Sequence, residues 1–244
     1  FWILHGHLNE GSQWLAAASE AGEPPANRRF KLMNGLGLAA RFRGDLETAR
    51  KAYIAGLAAG EEAGDKAGIA ISCRGLGLVL YQSKELEDAR ANFERGLEIS
   101  RELKDDLGIA MSLSFLGDLH RARGNYEEAS DPIENSVEIF RRIGRRAALA
   151  DALNNLGTVH LSGSRRTRAF ECFSEAFDIA TELGNKITTS HCLDGFAAIA
   201  VELGDHSMAA RFAGAADAMR SAVGYEIEPA EAHFRESIIE KMRS

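Results

Sequence analysis

Residues 35–40 read GLGLAA, that is Gly-x-Gly-x-x-Ala, the glycine spacing that cradles a dinucleotide pyrophosphate where a strand turns into a helix. The same letters fit a helix interior whose glycines admit a neighbour at close range. The rest of the chain decides between the two. Leu-Gly occurs at Leu36-Gly37, Leu76-Gly77, Leu116-Gly117 and Leu156-Gly157, a constant step of 40 in the numbering, and one more step lands on Phe196-Ala197. Alanine keeps this step at Ala49, Ala89, Ala129, Ala169 and Ala209. A turn phrase recurs at Gly44-Asp45, Gly124-Asn125 and Gly204-Asp205, with Lys84-Glu85 and Ser164-Arg165 as weaker copies. A second turn recurs at Gly64-Asp65, Lys104-Asp105, Gly144-Arg145, Gly184-Asn185 and Gly224-Tyr225. Such recurrence without insertion marks a tandem repeat.

Each unit carries two apolar stretches at helical spacing. Ile109, Leu113, Leu116 and His120 share one face of a first helix, and Ala129, Ile133 and Val137 share one face of a second. No stretch shows sustained period-two alternation, so no strand is expected. The predicted fold is all-α: a right-handed α-solenoid of antiparallel helix pairs with a 40-residue period, one domain over residues 1–244. Residues 1–22 are expected to form a partial helical unit, 30–224 five repeats, and 228–244 a C-terminal capping helix. Pro24-Pro25 and Pro229 punctuate these joins.

Glycine in a helix interior costs about 1 kcal/mol relative to alanine. Its return at each Leu-Gly implies close packing, with the recurrent alanines as the expected counterparts. GLGLAA therefore lies within a helix, and the strand that a phosphate loop requires is missing.

The bulk numbers narrow the function. The net charge of -7 argues against a nucleic-acid binder. No apolar run approaches the roughly 18 residues that span a bilayer, so no membrane contact is expected. Cys73, Cys172 and Cys192 stand singly, which suits reduced cytoplasmic thiols. Neither a zinc motif nor a nucleophile elbow occurs, and no cofactor, metal site or catalytic residue is expected. His120 and His160, at one repeat position, read as packing residues. The arginine groups FRRIGRR (140–146) and SRRTR (164–168) lie one helix apart, roughly 24 Å, and read as solvated charge.

Leu113-x-x-Leu116-Gly117-x-x-His120 followed by Ala129-x-x-x-Ile133 resembles the tetratricopeptide pattern, in the longer form seen in LGN-type and kinesin-light-chain-type proteins. ALNNLGTVH (152–160) and GNYEEA (124–129) are similar to the wording of such repeats. FWILHGHLNEGSQWLAAA (1–18) resembles the opening of the C-terminal helical region of bacterial LuxR/MalT and AfsR regulators, and MAARFAGAADAMRSAVG (208–224) with EPAEAHFRESI (228–238) resembles its close. That resemblance implies a sensor segment downstream of a nucleotide-binding domain in a longer transcriptional regulator. The chain opens mid-phrase without methionine, as a piece of a longer protein would. No Gly-x-x-x-x-Gly-Lys-Ser/Thr loop occurs, so the ATPase activity does not carry over.

The face of each first helix turned from its second helix is the expected binding groove. One row holds Asn34, Arg74, Ser114, Asn154 and Asp194; the next Leu38, Leu78, Asp118, Thr158 and Ala198; the next Arg41, Tyr81, Arg121, Leu161 and Val201. Lys31, Ile71, Met111, Asp151 and His191 lie a turn earlier. Arginine and tyrosine favour partner contact, and asparagine suits bonding to a peptide backbone. The candidate groove residues are Asn34, Arg41, Arg74, Tyr81, Asp118, Arg121, Asn154, Thr158 and Asp194. Acidic residues such as Glu47, Glu87 and Glu127 fall on the second helices, leaving the groove comparatively basic in its first three units. The expected function is non-catalytic recognition of a protein, a peptide or a small effector within a larger bacterial regulator; the alternative is a free-standing adaptor.

Overall fold

The computed structural model describes residues 25–225, 227 and 229–243. Residues 1–22, expected to form a partial helical unit, lie outside the described residues. Among those described, eleven α-helices and no strand occur: α1 (Ala26–Phe42), α2 (Leu46–Ala63), α3 (Lys66–Gln82), α4 (Leu86–Glu102), α5 (Asp106–Ala122), α6 (Tyr126–Arg142), α7 (Arg146–Ser162), α8 (Arg166–Glu182), α9 (Lys186–Glu202), α10 (His206–Ser221) and α11 (Pro229–Arg243). GLGLAA sits inside α1, which answers its two readings in favour of packing. None of the described helices is long and apolar enough to cross a membrane.

A turn closes every helix from α1 to α10 at a fixed interval. Residues with positive φ stand at Gly44, Gly64, Lys84, Lys104, Gly124, Gly144, Ser164, Gly184, Gly204 and Gly224, evenly spaced and two to each repeat. In each, the next residue donates its N–H to a carbonyl five back, as in Asp45 N to Ala40 O at 3.0 Å and Glu85 N to Leu80 O at 2.9 Å. This satisfies a carbonyl left open at the helix end. At four of these turns the following Asp or Asn caps the next helix: Asp45, Asp65, Asn185 and Asp205 accept from the N–H of Thr48, Gly68, Thr188 and Met208, whereas Asn125 makes no such side-chain bond.

The described residues divide into two compact units, one ending at residue 119 and one beginning at residue 120. In the first, α1 packs on α2 and α3 on α4, while α3 also touches α1 and α2. Its core gathers Tyr53, Leu76, Val79, Phe93 and Leu119. In the second, α7 packs on α8 and α9 on α10, and α11 lies against α9 and α10. Its core joins Leu161, Phe173, Ala197 and Ile238, flanked by Phe196, Phe212 and Phe234.

The recurrent glycines do admit close neighbours, but the neighbour differs from expectation. A methyl group at Gly37 would stand 2.9 Å from the Tyr53 ring, at Gly77 2.5 Å from Phe93, and at Gly157 2.6 Å from Phe173. Tyr53, Phe93 and Phe173 occupy one repeat position, so a ring fills the space a side chain would need. Gly195 faces the same Phe173 ring at 2.6 Å. Where the matching residue is Phe115, its ring meets Phe93 with centroids 5.2 Å apart. The alanine row is fully buried, yet the glycines face aromatic rings.

Candidate functional site

Helical phase places the candidate residues as follows in the first unit. Asn34 is half-buried and accepts a hydrogen bond from Ser72 Oγ at 2.8 Å. Arg41 lies over the Phe42 ring, 4.7 Å from its centroid, and also interacts with Tyr53. Tyr81 packs half-buried against the core, and Asp118 is half-buried on α5. Arg74 departs from the expected open face: it is 8% exposed, and its Nη1 donates to Ser100 Oγ at 3.0 Å. Burial pulls its guanidinium below the usual arginine range, with Asp105 opposing.

Asp194, in the same row of the second unit, is likewise buried. Arg220 Nη1 on α10 donates to its Oδ2 at 2.7 Å, and Arg235 Nη1 on α11 to its Oδ1 at 2.8 Å. Both arginines also reach Asp217. Two cations and two carboxylates close a charge-balanced cluster that ties α9, α10 and α11 together. Burial works against the charge on Arg220, and hydrogen bonds and charge from Asp194 and Asp217 outweigh it, raising its pKa. Asp194 is thus an internal tie rather than an open groove residue, because its side chain turns onto the end of its own second helix. The helical period could not show this. The partner belongs to a different helix.

The second unit also holds a cavity of about 600 Å³, bounded by the end of α5, the turn into α6, and helices α7, α9 and α11. Arg121 and Thr158 meet there, with Leu161, Ala198 and Val201 from the same expected rows. Asn154, half-buried one turn before Thr158, accepts that residue's hydroxyl on its backbone carbonyl at 3.2 Å. Arg123 and Lys241 add positive charge, and Glu202, paired with Arg166 at 3.5 Å, is the one carboxylate of the lining. The hydroxyls of Ser162 and Ser237 donate to Thr158 O and Phe234 O, which leaves their oxygens as acceptors. Phe234, Ser237, Ile238 and Lys241 form the α11 wall. Sequence reasoning marked this closing segment as distinctive and did not place it here; an amphipathic spacing at Phe234, Ile238 and Lys241 is the available signal.

The remaining candidates have structural roles. Arg141, Arg146 and Arg166 from the two arginine groups pair with Glu175, Glu182 and Glu202. Such surface pairs contribute about 0–1 kcal/mol each. His160 is buried, with no hydrogen-bond partner for Nδ1 among the described residues. Burial pushes the Cys192 thiol up to about 12 and Cys172 up to about 11, keeping both protonated at neutral pH.

Helix pairs of nearly equal length, closed by evenly spaced turns and packed ring against glycine, define an α-helical tandem-repeat scaffold. The chain belongs to the tetratricopeptide repeat family, whose model matches residues 28–102, 69–142, 108–182 and 148–220. This makes it a repeat scaffold of the protein-binding kind. No curated protein matches it in sequence. Among solved structures it is similar to BtubC (BKLC) from P. vanneervenii, with a TM-score of 0.69 and 19% identity over 92% of each chain. It is also similar to the apo form of RapI, with a TM-score of 0.65 and 16% identity over 86% of this chain and 88% of that one. Aspartyl phosphate phosphatase F from Bacillus subtilis gives a TM-score of 0.65 at 12% identity, covering 91% of this chain and 61% of that one. At these identities the likeness is one of fold.

Proposed function

We propose that this chain is the non-catalytic binding or sensor region of a larger bacterial regulatory protein, cytoplasmic and coupled to an upstream nucleotide-binding domain. Its first-helix faces recognise a protein, a peptide or a small effector. Arg121, Asn154 and Thr158 serve in the second unit; Asn34, Arg41, Tyr81 and Asp118 serve in the first. Arg74 and Asp194 shape these faces from beneath. The observation that carries this reading is the cavity joining Arg121 and Thr158, which are separated in sequence and drawn from neighbouring rows of the expected face. A volume near 600 Å³ falls within the range of ligand pockets, about 300–1,000 Å³.

The test is a thermal-shift screen of the whole chain against peptides and metabolites, since ligands preferring the native state raise Tm. A shift lost in Arg121→Ala or Asn154→Ala supports the reading. A screen without shifts, or shifts indifferent to both variants, overturns it. A free-standing adaptor is the second reading; it is favoured by Ile71, a large apolar side chain left 46% exposed on the first-helix face of unit one.

A further inference from the structure

We propose that the first-helix face of the second unit is a seat for an amphipathic helix, and that α11 is its resident occupant. A partner helix of the same pattern, with a larger apolar side chain in place of Ser237, displaces it. This rests on reading the chain as a binding region and gives one of its faces a partner class. The seated helix shows the pattern. Phe234 and Ile238 stand one turn apart on α11; Ile238 is 2% exposed in the core that Leu161 and Ala198 share, and Phe234 packs against that core. Arg235 reaches Asp194 at 2.8 Å, while Glu236 and Glu240 are exposed on the opposite side of the helix. An aromatic, a cation and a branched aliphatic residue at i, i+1 and i+4 are the anchors by which a groove takes a helix. The first-helix rows record the occupancy. Leu38, Leu78 and Asp118 are half-buried, whereas Thr158 and Ala198, in the same row, are 7% and 8% exposed. Both share their surroundings with α11: Thr158 lines the cavity with Ser237, and Ala198 lies in the core of Ile238.

Three features make the occupant replaceable. First, α11 touches α9 and only the margin of α10, whereas α7 and α9 are each flanked by helices on both sides. A helix of 15 residues is marginal by itself in water, so its order rests on docking through Phe234, Arg235 and Ile238. Such lightly packed elements open at lower free energy than the core. Second, the connection from Ser221 to Pro229 is short, which holds α11 near its seat at an effective concentration on the order of millimolar. A weak intrinsic fit therefore keeps the seat filled. Third, the fit is incomplete. A cavity of about 600 Å³ remains beside α11, and among the residues α11 turns to it are Lys241 and the small Ser237, whose hydroxyl donates to Phe234 O of its own helix. Leu161, Ala198 and Val201 line the same space from α7 and α9. A leucine at the Ser237 position buries apolar surface there and tightens the fit about tenfold.

The probe is a fluorescent peptide of residues 226–244, titrated by anisotropy against the whole chain. In the parent, α11 competes from within and the peptide binds weakly. Ile238→Asp in the chain unseats α11, and this variant is expected to bind the peptide about tenfold or more tightly than the parent. The S237L peptide binds about tenfold more tightly again, and peptides carrying I238D or R235E, or the same residues in scrambled order, do not bind. Hydrogen exchange needs no variant of the chain and decides the matter if Ile238→Asp does not fold. In the parent, the amides of 229–243 open before those of α9, and saturating S237L peptide speeds their exchange further. A folded Ile238→Asp chain with no gain in peptide binding, equal capture of the scrambled peptide, or α11 and α9 exchanging together overturns the proposal. So does a parent dimer that the peptide disperses, which assigns the seat to the α11 of a second copy. A peptide or metabolite that shifts Tm through Arg121 or Asn154 while α11 stays protected overturns this inference alone and leaves the binding-region reading standing.

Discussion

Asp194 and Arg220 meet at 2.7 Å in the same repeat relationship that joins Arg74 to Ser100 at 3.0 Å: a first-helix residue and its counterpart near the end of the following helix. The charge stands on opposite sides of the two pairs. Arg220 is 3% exposed, so removing its partner leaves a guanidinium in poor solvent. Asp194→Ala is expected to cost about 3–5 kcal/mol in urea unfolding and to expose α11 to proteolysis, because Arg235 loses the same anchor. Asp194→Leu with Arg220→Met removes both charges and is expected to recover much of that loss. A single variant as stable as the parent would show that the cluster does not hold α11.

The ring-and-glycine contact predicts opposite outcomes for the same chemical change. Gly157→Ala drives a methyl group to 2.6 Å from the fully buried Phe173 and is expected to cost about 1–3 kcal/mol. Gly214→Ala, inside α10 with no atom within 4 Å of the new methyl group, is expected to stabilise by about 0.5–1 kcal/mol. Thermal melts of the two variants check this. Equal effects would remove the packing account of the repeat.

Three turns keep the left-handed conformation without glycine. Lys84, Lys104 and Ser164 have φ of 64°, 54° and 57°. A side chain there costs about 1–2 kcal/mol, partly offset by the extra freedom glycine gives the unfolded chain. Lys84→Gly, Lys104→Gly and Ser164→Gly are each expected to add about 0.5–1 kcal/mol, and the triple variant the sum, since the sites are far apart. Calorimetric melting measures it. A fall in Tm for the triple variant would contradict the turn geometry.

These turns also show what the sequence makes legible. Lys84, Lys104 and Ser164 could be placed because register, not residue type, fixes the turn, and the constant repeat step carries register faithfully. The row of Asn34, Arg74, Asn154 and Asp194 was equally legible as a face of its helix. Where its side chains end was not, because helical periodicity describes one helix and says nothing of Arg220 on the next. The same limit hid the rings: Tyr53 lies on the helix after that of Gly37, and only the packed pair reveals that glycine and ring are complementary. The cavity depends on α11, whose amphipathic spacing is visible but whose resting place is a tertiary fact.

His160 gives the chain a pH-dependent element. It is 3% exposed, and burial foremost, with Arg165 and Arg168, lowers its pKa below the ordinary histidine value, while Glu134 and Glu171 pull the other way. The unfolded chain therefore takes up this proton at higher pH than the folded one. The contribution to stability is complete above the unfolded value of about 6.5 and is lost as pH falls from there towards the lower folded value. His160→Phe keeps a ring in the site and removes the titration. Urea unfolding of parent and variant between about pH 8 and pH 5 is expected to show a shallower loss of stability in the variant on the acid side. Parallel curves, or a parent that gains stability relative to the variant as acid is added, would mean that His160 is charged in the folded state.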